Sequence, residues 1–336
     1  MSDVLVLDIG GTWLRSGIFL NGSLVSDNRQ LISDVRKTAD FFLDLVGAVI
    51  DIIYDYKKFN YFEEVVISLG ACLNHHTGEI YYSAPLFGAQ KLNVDFQEIL
   101  SQQITFPLTI SVINDVSALC YAYDYTDYTK NLTHIAALTI SSGIAMRRFD
   151  VKLKKVIVDH VLGLQGEVGH LPVYNPFFPS NKKQPICECG GINHMAAYSS
   201  GKGLDHLLAH HLDSMVNSSD SIKDLFLKYK IGALALKEAL QANCVDAEKI
   251  LNIIAYPIAY IIVLIFCISP EIDRLFVSGG MVETLGSLLE QRIFKFTGEI
   301  AYVYDEQFYR NRVIFFESAS TFGLLGAGHY STLRKG

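Results

Sequence analysis

The residues of this 336-residue chain best suited to chemistry are Cys187-Glu-Cys189, His194 and the upstream His170. Two thiolates one residue apart, with an imidazole on either side, supply four sulfur and nitrogen ligands, the set that holds tetrahedral zinc. Because such a set leaves no coordination position open, the expected role of the zinc is structural. Reduced cysteines in a loop beside unrelated histidines are the alternative. A second candidate is Asp8-Ile-Gly10-Gly11-Thr12, a carboxylate at a strand end beside two glycines and a hydroxyl. Glycines let backbone N–H groups close on phosphate oxygens, and a nearby acid can hold hydrated Mg²⁺. A tight hairpin with an incidental aspartate fits the same residues. The chain has no GxxxxGK(S/T), and no GxGxxG follows its first strand, which excludes a Walker-type site and the usual dinucleotide site.

The elements that must position these residues read as α/β. Apolar runs Val4–Ile9 and Trp13–Leu20 flank the glycine turn, and Asn21-Gly22 then marks a hairpin because both positions need positive φ. A helical stretch over 34–56 leads to a strand at 65–69. Residues 108–112 form a strand ending at Asn114-Asp115, followed by a helix over 116–123 and a strand over 135–140 with a turn at Ser141-Ser142-Gly143. Alternating helices and strands imply layered α/β architecture. Residues 171–185 read as a surface loop. Residues 253–268 carry no charge, but the run is short for a membrane span and holds Pro257, so a buried core helix is expected.

The chain is 50% hydrophobic and 19% charged, which excludes disorder and suits two domains. A net charge of −7 argues against a broad electrostatic grip on nucleic acid or an anionic membrane. The six cysteines are sparse and suit a reducing compartment, and no secretory signal opens the sequence, so a cytoplasmic location is expected. Cys72, Cys120, Cys244 and Cys267 are expected to be buried apolar residues.

Taken in order, Asp8-x-Gly-Gly-Thr12-x-x-Arg15, Ile113-Asn-Asp115, Ser142-Gly143, Gly166-Glu-Val-Gly-His170, Cys187-x-Cys-Gly190, Ser200-Gly201, Ser278-Gly-Gly280 and Gly323-x-x-Gly-Ala-Gly328 resemble the ROK family of sugar kinases and repressors. The resemblance implies a two-lobed, actin-like (ribonuclease H-like) ATPase fold with a central cleft. One lobe would span 1–115 plus about 318–336, and a larger lobe with the zinc loop would span 116–317. It also implies ATP-dependent phosphorylation of a hexose or hexose derivative. Asp115 would act as the base, with helix N-capping as its alternative role. Asn114, Asp115, Glu167 and His170 would bind the sugar. Asp8, Gly10, Gly11, Thr12, Ser142, Gly143, Gly279 and Gly280 would bind ATP and Mg²⁺, and His170, Cys187, Cys189 and His194 would bind structural Zn²⁺. The expected partners are a small sugar and ATP, with no nucleic acid and no membrane, and family analogy suggests a homodimer.

The chain departs from the family pattern in several places. His194 replaces a third cysteine, and the loop between His170 and Cys187 is long. Ala196 stands where the family has a sugar-binding glutamate, and Leu86, after Ala84-Pro85, where it has a sugar-contacting asparagine. The second glycine-rich loop reads Ser141-Ser-Gly-Ile-Ala-Met-Arg147, where Arg147 or Arg148 would either touch phosphate or sit at a solvated hairpin tip. These losses leave an alternative, a catalytically weakened sugar- or nucleotide-binding regulator. A DNA-binding repressor is a poorer fit, because only seven residues precede Asp8, too few for a helix-turn-helix.

Overall fold

The computed structural model describes residues 3–215, 220–316 and 318–335. The chain forms two compact units, one of Met1–Thr133, Arg147–Gln165 and Ser320–Gly336, the other of His134–Met146 and Gly166–Ala319. The first division therefore falls later than the expected break at residue 115. The helix Asp115–Tyr125 packs closely on the C-terminal helix Phe322–Lys335 and so stays with the first unit.

In the first unit the strands Asp3–Ile9, Phe62–Leu69 and Thr109–Asn114 lie parallel, and Trp13–Leu20 runs antiparallel to the first of them. Leu5, Leu7, Val65 and Ile67 pack into the core on one face of this sheet, and Val4, Val6, Val66 and Ile113 are buried on the other. The Asn21-Gly22 hairpin has positive φ at both residues. The expected helix over 34–56 is two helices, Ile32–Val35 and Phe41–Lys57, and Asp40 caps the second through Leu43 N.

In the second unit the strands His134–Ile140, Arg274–Ser278 and Val313–Phe315 are parallel. The apolar run belongs to a longer helix, Val245–Ile268, which is mostly buried and packs against the helix Ser287–Ile300. It is a core helix, as expected, and Pro257 lies inside it. The segment 171–185 is not simply a surface loop, because Val173, Asn175 and Phe178 are buried. Among the remaining cysteines, Cys72 and Cys120 are buried as expected, whereas Cys244 is half-buried and Cys267 is exposed.

Candidate active site and metal centre

In the first unit Ile9 pairs with Leu69, and Leu69 with Asn114, so the three parallel strands end level. Gly10, Gly70 and Asp115 follow at neighbouring strand ends, the edge at which open α/β sheets bind ligands. A Cβ on Gly70 would lie 3.3 Å from both Asp115 Oδ2 and Ile9 O, so glycine keeps this edge open. The Gly10 amide donates to Trp13 O at 2.9 Å and closes the turn, with Gly11 half-buried and Thr12 exposed.

Asp8 Oδ1 accepts from Ser68 Oγ at 2.8 Å, and Oδ2 from Arg15 Nη1 at 3.0 Å. Burial nonetheless pushes its pKa above the ordinary carboxylate value, outweighing Arg15 and Ser68. A carboxylate left undercompensated in this way is suited to a bound cation. The C-terminal glycines serve close packing, the first of them against Asp8. A Cβ on Gly323 would overlap the Asp8 carboxyl, one on Gly326 the Ala118 carbonyl, and one on Gly328 the Phe19 ring.

Asn114 takes the capping role weighed for Asp115. Its Oδ1 accepts from Val116 N at 2.9 Å and Ser117 N at 3.2 Å, and its Nδ2 donates to Ala71 O and Asp115 Oδ1, both at 3.0 Å. The amide thus makes its full complement of hydrogen bonds within the protein. Asp115 is the first helical residue. Its Oδ1 accepts from Asn114 and from Val116 N, while Oδ2 faces Gly70.

The second unit has its own strand-end turn. Ser141 N donates to Gly143 O at 2.9 Å, and Gly201 N to Ser141 O at 2.7 Å. Gly279 has φ +112, and a Cβ there would lie 2.6 Å from Ile140 O. The pairing of Thr139 with Ser278 brings Ser142, Gly143, Gly279 and Gly280 to one edge. Gly166, at φ +72, and Gly169 press against the Met146 and Ile144 carbonyls and fix the turn that carries Glu167 and His170. Arg147 is not at a solvated tip. It is 2% exposed, lies in the first unit, and donates through Nη1 to the Gln165 carbonyl. Leu86 is a core residue of the first unit, and Ala196 is buried in the second.

The ligand atoms of His170, Cys187, Cys189 and His194 all lie within 4.8 Å of one another. Cys187 Sγ is 3.7 Å from His170 Nδ1, and Cys189 Sγ is 3.2 Å from His194 Nδ1. Zinc bonds of about 2.3 Å to sulfur and about 2.0 Å to nitrogen place tetrahedral ligands roughly 3.5 Å apart, so the donor set fits. Gly190 adopts φ +89, and a Cβ on Gly191 would fall on the His194 ring. Burial pushes the Cys187 thiol up to about 12 and holds both imidazoles below their ordinary value, with Glu167 partly opposing this at His170. Neutral imidazoles are ready ligands, and a cation would reverse the preference of the thiol.

Ser68, Gly70 and Asn175 were not anticipated from sequence. A glycine directly after an apolar strand recurs at Ile9-Gly10, Leu69-Gly70 and Ser278-Gly279, and that repetition was a usable signal for Gly70.

The sequence profile of the ROK family matches residues 4–330. The chain belongs to the ROK family. A 2-epi-5-epi-valiolone 7-kinase from an Actinoplanes species is 31% identical over 223 residues, covering 65% of this chain and 61% of the relative. An N-acetylmannosamine kinase from Pasteurella multocida is 22% identical over 202 residues, covering 60% of this chain and 61% of the relative. The ROK chain therefore spans about three fifths of the length of these relatives. Among solved structures, a ROK family glucokinase from Streptomyces griseus, in complex with glucose and AMPPNP, superposes with a TM-score of 0.75 at 16% identity. That match covers 99% of this chain and 100% of the other. A ROK family transcriptional regulator, a homolog of the E. coli MLC protein, gives a TM-score of 0.73 at 14% identity, covering 98% of this chain and 78% of the other. The fold is that of the actin-like ROK proteins, and it is shared by a kinase and a regulator.

Proposed function

We propose that this protein is an ATP-dependent kinase that phosphorylates a hydroxyl of a hexose, a hexose derivative or a cyclitol. The observation that carries this reading is the convergence of Asp8, Gly10, Gly70 and Asp115 at level ends of three parallel strands. Asp115 accepts the proton of the attacking hydroxyl, a role worth roughly 10²- to 10⁴-fold. Asn114 Nδ2 donates to Asp115 Oδ1 and so holds the carboxylate, and an acceptor hydroxyl engages Asn114 only in exchange for one of its present bonds. Within the second unit, Glu167 and His170 are the candidate sugar-binding groups.

When bound, Mg²⁺ neutralises charge on the phosphates. Asp8 is the carboxylate that would hold it through water. Gly11 and Thr12 are the candidate nucleotide-binding residues of the first unit, and Ser142, Gly143, Gly279 and Gly280 those of the second. Zinc held by His170, Cys187, Cys189 and His194 would stiffen the turn that carries His170. Ala196 and Leu86 offer no side-chain hydrogen bond, and a site with fewer polar groups discriminates less between acceptor hydroxyls. The names of the relatives add 2-epi-5-epi-valiolone and N-acetylmannosamine to the candidate acceptors, and a further relative, a C(7)-cyclitol 7-kinase from Streptomyces hygroscopicus that is 25% identical over 219 residues, adds cyclitols. A homodimer in the cytoplasm belongs to the same reading.

The test is a coupled ATP/Mg²⁺ assay on hexoses, N-acetylhexosamines and cyclitols. Turnover of at least one acceptor that is lost in Asp115→Asn supports the kinase. Sugar or ATP binding in a thermal-shift screen with no turnover of any acceptor would favour the regulator. Metal analysis should find about one zinc per chain, lost in Cys187→Ser.

A further inference from the structure

Pro257 lies inside the core helix Val245–Ile268 and has no N–H to give to the carbonyl four residues earlier, that of Ile253. A buried carbonyl without a donor is costly, so its partner is informative. That partner is Asn175, whose Nδ2 donates to Ile253 O at 2.8 Å from a fully buried position. The next carbonyl, Ile254 O, accepts from Ser199 Oγ at 2.7 Å, also buried.

Asn175 and Ser199 sit on the two segments that carry the outer members of the candidate metal set. His170 precedes the stretch 171–175, and His194 opens the stretch leading to the helix Met195–Ser199. The stretches run antiparallel, with Val173 N donating to Asn193 O at 2.9 Å and Met195 N to Leu171 O at 3.0 Å. Pro172 bridges directly to His194. Cys187 and Cys189 lie in the turn between the stretches, which is closed by Cys187 N to Gly191 O at 2.8 Å and Asn193 N to Pro185 O at 3.1 Å.

We infer that Pro257, Asn175 and Ser199 are positioning residues for the metal centre. The proline leaves the Ile253 carbonyl without a helix donor and Asn175 takes it, while Ser199 binds the adjacent Ile254 carbonyl; together these two bonds anchor both stretches of the Cys/His segment to one turn of the core helix, fixing the separation of His170 and His194. This rests on the reading of His170, Cys187, Cys189 and His194 as metal ligands, and it adds what holds them at the right spacing.

Alone, a substitution of Asn175 would both orphan the Ile253 carbonyl and release the segment. A double variant separates the two effects, because Pro257→Ala restores a helix N–H that can satisfy Ile253 O without Asn175. The measurements are thermal stability and competitive Zn²⁺ and Co²⁺ binding on the full chain, with the Co²⁺ absorption spectrum as a report of ligand geometry. Asn175→Ala should lose stability and weaken metal binding roughly 10- to 100-fold, the usual effect of losing a supporting contact. In Asn175→Ala/Pro257→Ala, stability should recover while metal affinity stays low and the Co²⁺ spectrum stays altered. Ser199→Ala should weaken binding in the same direction, and Ser199→Thr, which keeps the hydroxyl, should retain it.

Recovery of wild-type metal affinity together with stability in the double variant would overturn the inference, since Asn175 would then only satisfy a carbonyl. So would wild-type affinity in both Asn175→Ala and Ser199→Ala. Failure of the wild-type protein itself to bind Zn²⁺ or Co²⁺ would instead refute the ligand assignment, and the inference would fall with it.

Discussion

The helix Asp115–Tyr125 carries a carboxylate near each end, and the two ends are built differently. At its N-terminus Asp115 lies where the helix dipole favours negative charge, close to Gly70, which also meets the end of the strand Asp3–Ile9 that carries Asp8. At its C-terminus Asp124 lies where the dipole opposes negative charge. There the fold supplies partners: His329 Nε2 at 3.1 Å, Thr129 Oγ1 at 3.0 Å and Lys154 Nζ at 2.5 Å. Burial alone would raise the Asp124 pKa, but these bonds and the Lys154 charge outweigh it and hold the group below its ordinary value. Asp8, with Arg15 and Ser68, ends above its ordinary value. A buried acid that the protein has fully answered is a clasp, here tying the helix Asp115–Tyr125 to the C-terminal helix. A buried acid left partly unanswered is a place for a cation from solution.

The largest effects should fall at the strand ends. Asp115→Asn should lower kcat by roughly 10²- to 10⁴-fold with the melting temperature unchanged, as measured by steady-state kinetics and thermal melts. Asp8→Asn should cost roughly 10²- to 10³-fold in kcat, yet leave the protein as stable as wild type or more so. A large loss of stability in Asp8→Asn would erase the contrast with Asp124. Asp124→Asn should do the reverse, removing roughly 2 kcal/mol of stability in denaturant titrations while turnover per folded molecule persists.

The smallest effect is the most diagnostic. Because the Asp8 pKa is raised on folding, its contribution is most favourable below the ordinary carboxylate value and is lost as pH rises toward the raised one. The Asp124 pKa is lowered, so its contribution is present above the ordinary value and lost as pH falls toward the lowered one. Melts across the acidic range should therefore show Asp8→Asn gaining on wild type as pH rises, and Asp124→Asn approaching wild type as pH falls. The same sign for both variants would break the comparison.

Much of the site was legible in the residues themselves. The Cys187/Cys189 pair with flanking histidines is a local pattern, and the structure brings all four ligand atoms together. The positive φ of Gly190 and Gly279 belongs to turns that glycine permits. Less legible was the division of labour between Asn114 and Asp115, since both residue types favour capping and only the bonds from Val116 N and Ser117 N to Asn114 Oδ1 show which is spent on it. The segment 171–185 looked like surface because it is rich in proline, lysine and polar residues, yet Asn175 is buried to answer a carbonyl 78 positions away. Arg147 looked like a hairpin tip, but the Gln165 carbonyl holds it inside.

By itself the sequence determined the order of strands and helices, the turns that demand glycine, the metal-ligating residue types and the family to which they belong. Each of these is set by neighbours a few residues apart or by an ordered pattern along the chain. Tertiary structure alone decided that the ends of three separate strands lie level, that Gly323 and not a larger residue can sit against Asp8, and that the Ile253 carbonyl, left without a donor by Pro257, has a partner in Asn175. These outcomes depend on register, close approach and the satisfaction of buried polar groups between residues far apart in sequence. Such interactions acquire their energies only when packing brings the partners together and removes the water between them.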